Sequence, residues 1–373
     1  MIHPSLFYQC LHDEGIDFFA GVPDSLLKHF CTFIRQNVPE SNNIITQNEG
    51  GAIALASGHY LATGHLPLVY MQNSGIGNAV NPLLSLADPE VYSLPILFLI
   101  GYRGEPGVHD EPQHKKQGMV TPALLEAMRY PYFILGSEPE EILRQTKEAI
   151  IIAKEQKTPV ALVVRKGMFE EIPSLHTLSD TKMTREDALE EISRLPGVLV
   201  STTGFTSREL FEIRERRKEG HERDFLTVGS MGHSSMIALG ISLAHPGLPV
   251  TCIDGDGAFL MHLGAIAILG SRKPGYFTHI VINNGVHDSV GGQPTDIGAL
   301  NLMKLASAAG YPRIETASTC EELRRILSED YTGFRFIEVK VHPGARKDLG
   351  RPTTTPQGNR DALMTYIQNF VKG

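Results

Sequence analysis

Short apolar runs rich in β-branched and aromatic residues alternate along this chain with longer stretches of helical character, and that alternation constrains the fold more than any other feature. IDFFAG, NIIT, LPLVYM, LPILFLIG, YFILG and PVALVVR are separated by LLKHFCTFI, GGAIALASGHYLAT and EEILRQTKEAIIIAK. Strand-length runs joined by helix-length crossovers predict a parallel sheet with helices on both faces. The pattern lapses over EEIPSLHTLSDTKMTRED (170–187), which has no apolar period and carries the Pro, Ser, Thr and Asp of a linker. It then resumes with GVLVST, DFLTVG, LPVTCIDGD, HIVINNG, YPRIET and FRFIEVKV, and TTTPQGNRDALMTYIQNFVKG predicts a terminal helix. The expected fold is α/β: two doubly wound parallel-sheet domains, 1–172 and 188–373, joined by a linker at 173–187. At about 150 residues per domain, 373 residues leave no room for a third, middle domain. No residue-level repeat relates the halves, so any duplication is architectural.

Charge and composition exclude several classes. The net charge is 34 − 42 = −8 and no Lys/Arg block breaks that balance, which argues against a nucleic-acid-binding face. No apolar run reaches the roughly 18 residues of a membrane span. MIHPSLFYQCLHDEG has no basic region before an apolar core, so no secretion signal is expected and the cytoplasm is the expected location. The four cysteines, Cys10, Cys31, Cys252 and Cys320, lack metal-ligand spacing and read as reduced, mostly buried thiols. Ser74-Gly75-Ile76-Gly77-Asn78-Ala79 offers the GxG of a nicotinamide site. However, the third glycine is missing at Val80, and no acidic residue ends the following strand where a ribose would need it.

Ligands of open parallel sheets bind beyond the carboxyl ends of the strands. LPVTCI ends in Asp254-Gly255-Asp256-Gly257, and 25 residues after Gly257 the run HIVI ends in Asn283-Asn284-Gly285. Neighbouring strand tips would bring Asp256 and Asn284 to one point. A carboxylate, an amide oxygen and a main-chain carbonyl after Gly285 form a hard oxygen set suited to Mg²⁺. The glycines would admit a diphosphate to the backbone, and a helix starting near Ala258 would aim its N–H groups at it. An ordinary strand-to-helix turn is the other reading.

GDG, 25 residues, then NNG resembles the cofactor motif of the thiamine diphosphate-dependent enzymes. The resemblance implies that Asp256, Asn284 and the main-chain oxygen of Val286 bind Mg²⁺, with the diphosphate lying against Gly255, Gly257 and Ala258. Gly229-Ser230-Met231-Gly232 resembles the segment that holds the cofactor bent. There the Gly229 carbonyl would accept from the 4′-amino group, and Met231, which alone reads as core, would prop the two rings apart. In Asn48-Glu49-Gly50-Gly51-Ala52, Glu49 would hydrogen-bond the pyrimidine N1′ and favour the imino tautomer that takes the C2 proton. By itself Glu49 also reads as a first-turn glutamate favoured by the helix dipole. Because the family pairs one half with the other half of a second subunit, a homodimer or a dimer of dimers is expected, with active sites at the subunit interface.

Within that family, five segments resemble the two-domain branch that decarboxylates phosphonopyruvate and, in near relatives, sulfopyruvate. They are Gly21-Val22-Pro23-Asp24-Ser25, Asn48-Glu49-Gly50, Gly101-Tyr102-Arg103-Gly104-Glu105-Pro106-Gly107, His109-Asp110-Glu111-Pro112-Gln113-His114, and Asn284 through Pro294. The reaction implied is thiamine diphosphate- and Mg²⁺-dependent conversion of 3-phosphonopyruvate to phosphonoacetaldehyde and CO₂. The alternatives are the sulfopyruvate reaction and an acetolactate-synthase-like carboligation, whose enzymes usually keep the middle domain. GYRGEPGVHDEPQHKKQG (101–118) reads as one long loop at a strand end, where Arg103 and His109 are candidates to hold the substrate head and His114 to act near it. A solvated loop is the other reading. Asp24, equally readable as an N-cap, would face the reacting carbon. His287 and Asp288, for which a surface turn is the other reading, would supply proton donors.

Overall fold

A computed structural model of the chain describes residues 1–173 and 181–372. It divides into two compact units, Met1–Leu175 and His176–Gly373. Residues 174–180 of the segment expected as a linker lie outside the described residues.

The first unit is built on six strands: β1 (Phe19–Gly21), β2 (Asn43–Ile45), β3 (Leu68–Gln72), β4 (Leu97–Gly101), β5 (Tyr132–Ile134) and β6 (Val160–Val164). They form one parallel sheet in the order β2-β1-β3-β4-β6-β5. β4 and β6 are buried along their whole length, and their apolar runs are unbroken because helices cover both faces. One face packs Phe7, Phe30 and Phe169 among Leu97, Leu99 and Leu162, and the other packs Ile53, Met71, Phe98, Ile100 and Tyr130.

The second unit holds β7 (Val198–Ser201), β8 (Asp224–Leu226), β9 (Val250–Gly255) and β10 (Phe277–Asn283). A small antiparallel ribbon of β11 (Val286–His287) and β12 (Gln293–Pro294) follows, and then β13 (Arg313–Ala317) and β14 (Phe334–Lys340). Its sheet runs β13-β14-β10-β9-β7-β8, again parallel. With the ribbon set aside and the strands counted from the start of each unit, both sheets read 2-1-3-4-6-5. The duplication expected at the level of architecture is therefore present in the winding itself. The terminal helix spans Pro356–Lys372. Among the described residues no helix is long and apolar enough to cross a membrane.

Two local readings of the sequence need correction. The tail of the expected linker is structured: the Thr184 side chain accepts the Asp187 N–H while the Asp187 carboxylate accepts from Thr184, a capping box that starts the helix Arg185–Ile192. The stretch 101–118 is not one loop. Pro112, suited to a first helical position, opens a helix that runs to Ala127, so the loop beyond β4 ends at Glu111.

Candidate active site

In the second unit Asp256 stands where β9 passes into the helix Asp256–Met261 and is only 3 % exposed. Its Oδ1 accepts the Gly257 N–H at 2.6 Å. Its Oδ2 accepts from the Asn284 N–H at 3.1 Å and the Gly285 N–H at 2.6 Å. One carboxylate thus ties together the tips of β9 and β10. Gly285 has φ +74°, the left-handed conformation that glycine adopts without strain, and so can turn its N–H back toward Asp256. Burial pushes the Asp256 carboxyl up to about 6, although three N–H groups donate to it. A buried carboxylate whose partners are all main-chain N–H groups, with no cation among them, fits a site for a hard divalent ion.

The surrounding residues fit the same purpose. Asn284 is fixed at both ends of its amide: Oδ1 accepts the Val286 N–H at 3.1 Å, and Nδ2 donates to Asp288 Oδ2 at 2.7 Å. Gly257 is required, because a Cβ there would stand 2.5 Å from the His287 ring and 3.4 Å from the Met231 Cε. Met231 and His287 therefore both approach Gly257 at the start of the helix that Asp256 opens. Met231 is half-buried on the loop that follows β8, two residues beyond Gly229, rather than in the core. Burial pushes the His287 imidazole down to about 4, leaving it neutral at ordinary pH.

Asp288 does not have the environment of a proton donor. Its oxygens accept from Asn284, from Arg185 Nη1 at 2.8 Å and from the Gly344 N–H at 2.9 Å. Arg185 also binds Glu209 through Nε and Nη2 at 2.8 and 2.9 Å, so Asp288 belongs to a buried ionic network that orients the Asn284 amide.

In the first unit Glu49 begins the helix Glu49–Thr63, whose N-cap Asn48 accepts the Gly51 N–H at 2.9 Å. The Glu49 side chain is 5 % exposed, and Oε2 accepts from Asn78 Nδ2 at 2.8 Å. A Cβ on Gly75 would lie 2.3 Å from Oε1. The glycine that suggested a dinucleotide loop instead makes room for a carboxyl group.

Asp24 is fully buried. Its Oδ1 accepts from Gln72 Nε2 at 2.6 Å and its Oδ2 from the Leu26 N–H at 2.8 Å. The next helix starts only at Lys28, so Asp24 holds a turn and does not cap that helix. A Cβ on Gly101 would come within 2.2 Å of Oδ2. Burial pushes the Asp24 carboxyl above its ordinary range, against the donors from Gln72 and Leu26.

Arg103 is not a free cation. Nε donates to Asp110 Oδ2 at 2.8 Å, Nη2 donates to the other Asp110 oxygen, and Nη1 donates to Ser25 at 2.8 Å. Asn73 clamps its main chain from both sides. Despite the cost of burial, Arg103 and two N–H groups hold the Asp110 carboxyl well below the usual carboxylate range. His109 lies exposed on the same loop, and His114 is half-buried in the first turn of the helix Pro112–Ala127. Gln72, Asn73 and Asn78 had no signal in the sequence. They are neutral amides whose role exists only once β3 lies beside β1 and β4.

Comparison with known proteins agrees with this geometry. Residues 4–124 match the family model "Thiamine pyrophosphate enzyme, N-terminal TPP binding domain" and residues 203–339 its C-terminal TPP binding domain. The first range contains Asp24, Glu49 and Arg103, and the second contains Gly229, Met231, Asp256, Asn284 and His287. The chain is 32% identical over 363 residues to a phosphonopyruvate decarboxylase of Streptomyces viridochromogenes, covering 92% of this chain and 89% of the relative. It is 33% identical to a phosphonopyruvate decarboxylase of Streptomyces hygroscopicus, covering 95% and 92%. It is 29% identical to a sulfopyruvate decarboxylase of Methanosarcina acetivorans, covering 90% of each. With both cofactor domains matched and the likeness running nearly end to end, the chain belongs to the thiamine pyrophosphate enzymes, in the family of the phosphonopyruvate decarboxylases.

Proposed function

We propose that this enzyme uses thiamine diphosphate and Mg²⁺ to decarboxylate 3-phosphonopyruvate, giving phosphonoacetaldehyde and CO₂. The observation that carries the reading is the buried Asp256, held by N–H groups from two strand tips beside Asn284, in a chain similar to phosphonopyruvate decarboxylases over more than nine-tenths of its length. In this reading the first unit binds the pyrimidine and the second the diphosphate. Asp256, Asn284 and the Val286 carbonyl hold the metal, while Gly255, Gly257 and Ala258 line the diphosphate. The Gly229 carbonyl and Met231 hold the cofactor bent. Bound thiamine diphosphate supplies the electron sink for the pair left behind when CO₂ departs.

The protein's own groups manage protons and orientation. Asn78 engages Glu49 Oε2, which leaves Oε1 to share a proton with the pyrimidine N1′. The bond between the carboxyl and keto carbons breaks, and the keto carbon must gain one proton. Asp24, whose carboxyl burial favours in the protonated form, and the neutral His287 are the groups assigned to hold and move it. Arg103 and His109 are assigned to the substrate head, and His114 to a catalytic role beside it. We further read the enzyme as a cytoplasmic homodimer or dimer of dimers with active sites at the subunit interface.

One observation favours a second reading: Asp110 already neutralises Arg103, and a singly charged sulfonate asks less of that loop than a phosphonate does. Kinetics on 3-phosphonopyruvate, sulfopyruvate and pyruvate, with added cofactor and Mg²⁺, tests both. The highest kcat/KM on 3-phosphonopyruvate, with free aldehyde as product, sustains the proposal. A higher value on sulfopyruvate or an acyloin product overturns it.

A further inference from the structure

Three arginines of the second unit are nearly inaccessible: Arg185 at 4 %, Arg214 at 1 % and Arg335 at 3 % exposure. Two of them follow the rule that a buried cation is paired. Arg185 forks onto Glu209, and Arg214 forks onto Asp224 at 2.9 and 3.0 Å. Arg335 breaks the rule. Nε donates to Thr278 Oγ1 at 3.0 Å and Nη1 to the Ile326 carbonyl at 3.3 Å, and no carboxylate among the described residues lies within ion-pair distance. The Ile326 carbonyl belongs to the last turn of the helix Cys320–Ser328, whose dipole is worth about half a charge and so offsets only part of the guanidinium. Arg313, the cross-strand partner of Arg335, is itself a cation, and the two guanidiniums lie 4.9 and 5.8 Å from the Tyr331 ring centroid. Burial, with Arg313 nearby, pulls the Arg335 guanidinium below the ordinary arginine range although Glu315 and Glu329 act on it from beyond hydrogen-bond distance, whereas hydrogen-bonded carboxylates raise Arg185 and Arg214 despite the cost of burying them.

Arg335 lines a cavity of about 240 Å³ at the amino-terminal edge of the sheet. Thr251 and Thr278 face it beside the guanidinium, and Pro196, Pro249 and Leu327 supply apolar wall. The seven residues of β10 put this edge about 20 Å from the Asn284 end of the strand, so the cavity is separate from the cofactor site. Of the acids at its mouth, Glu329 is bound to Arg313 and Asp330 is exposed, which disfavours a doubly charged guest over a singly charged one.

We propose that this cavity binds a small organic monocarboxylate, with its head on the unused N–H groups of Arg335 and its aliphatic body against the proline and leucine wall. A planar carboxylate matches the guanidinium fork, and the cavity volume suits a short-chain acid.

The probe is 4,4,4-trifluorobutyrate, followed by fluorine NMR on the full chain with thiamine diphosphate and Mg²⁺ present. The expected result is saturable binding at one site per chain, weakened at least about tenfold in Arg335→Met and unchanged in Asp256→Ala, which alters only the distant site. Thr251→Leu, which fills the cavity and leaves the guanidinium in place, should weaken binding similarly and serves if Arg335→Met does not fold. The proposal is overturned if there is no saturable binding, if affinity survives the cavity substitutions, or if the site disappears in Asp256→Ala. Inorganic phosphate binding there as tightly as the probe would overturn the carboxylate class.

Discussion

The two units share one strand order, yet they treat the carboxylates at their strand ends in opposite ways. In the first, Asp24 and Glu49 each meet a side-chain amide, Gln72 and Asn78, and each rests against a glycine that clears space for an oxygen. In the second, Asp256 meets three main-chain N–H groups and no side-chain amide. A main-chain N–H can only donate, so three of them select an ionised acceptor, which is what a metal needs. A side-chain amide can present either its donor or its acceptor end, so it accommodates a carboxyl group that gains and loses a proton. In the proposed reading, one scaffold yields a proton-handling half and a metal-holding half by changing what faces the acid.

The sharpest way to break this comparison is Asp256→Ala. It should lower Mg²⁺-dependent thiamine diphosphate affinity by more than about a hundredfold while leaving circular dichroism unchanged, because it removes a metal ligand and little packed volume. Calorimetry showing wild-type affinity would sink the metal-site assignment.

Glu49→Gln tests the other half. The variant should still bind the cofactor, but its C2 proton should exchange about 10²- to 10⁴-fold more slowly, since an amide cannot share the proton that selects the reactive tautomer. An unchanged exchange rate by NMR would remove Glu49 from that role.

Arg103→Ala addresses the loop beyond β4. The preference for 3-phosphonopyruvate over pyruvate, expected at roughly 30- to 150-fold in kcat/KM, should largely vanish. Because the single variant strands Asp110 as an unpaired, mostly buried carboxylate, Arg103→Ala with Asp110→Ala separates lost recognition from lost stability. A preference intact in the double variant assigns the substrate head elsewhere.

The smallest effect concerns stability. Burial raises the Asp24 pKa in the folded chain, so the folded state holds that proton more tightly than the unfolded state does. Its contribution is complete below the ordinary carboxylate pKa and is lost as pH rises through the raised value. Asp24→Asn removes that loss. The variant should melt a few degrees higher than the parent at pH 7 to 8, with the gap closing toward pH 4, even as activity falls. A pH-independent gap in scanning calorimetry would contradict the shift.

What the sequence revealed depended on whether the signal was local. Asp256 and Asn284 were legible because each directly ends an apolar run and the spacing between them is one crossover. The fold was legible because strand-length and helix-length patterns alternate throughout. Gln72 and Asn78 were not, since a neutral amide partner is chosen by side chains 48 and 29 residues away. Asp288 read as a donor beside the metal loop. The partners that make it an acceptor, Arg185 and Gly344, lie 103 and 56 residues off. The Arg103–Asp110 pair is only seven residues apart, yet in a loop without periodicity nothing fixed which of its charges would meet. Thr184 and Asp187 did carry a local capping signal, but it was submerged in a polar stretch read for its lack of apolar period.

The shared strand order also bears on how the chain is made. Every strand of the first sheet is encoded by Val164 and none of its neighbours comes from the second unit. On the ribosome, the first unit can close its hydrogen-bonded sheet while the residues of the second are still being added. The slow step of pairing parallel strands through long crossovers is then taken twice over short spans of chain instead of once over the whole, which limits how long unpaired strand edges stay open to other chains.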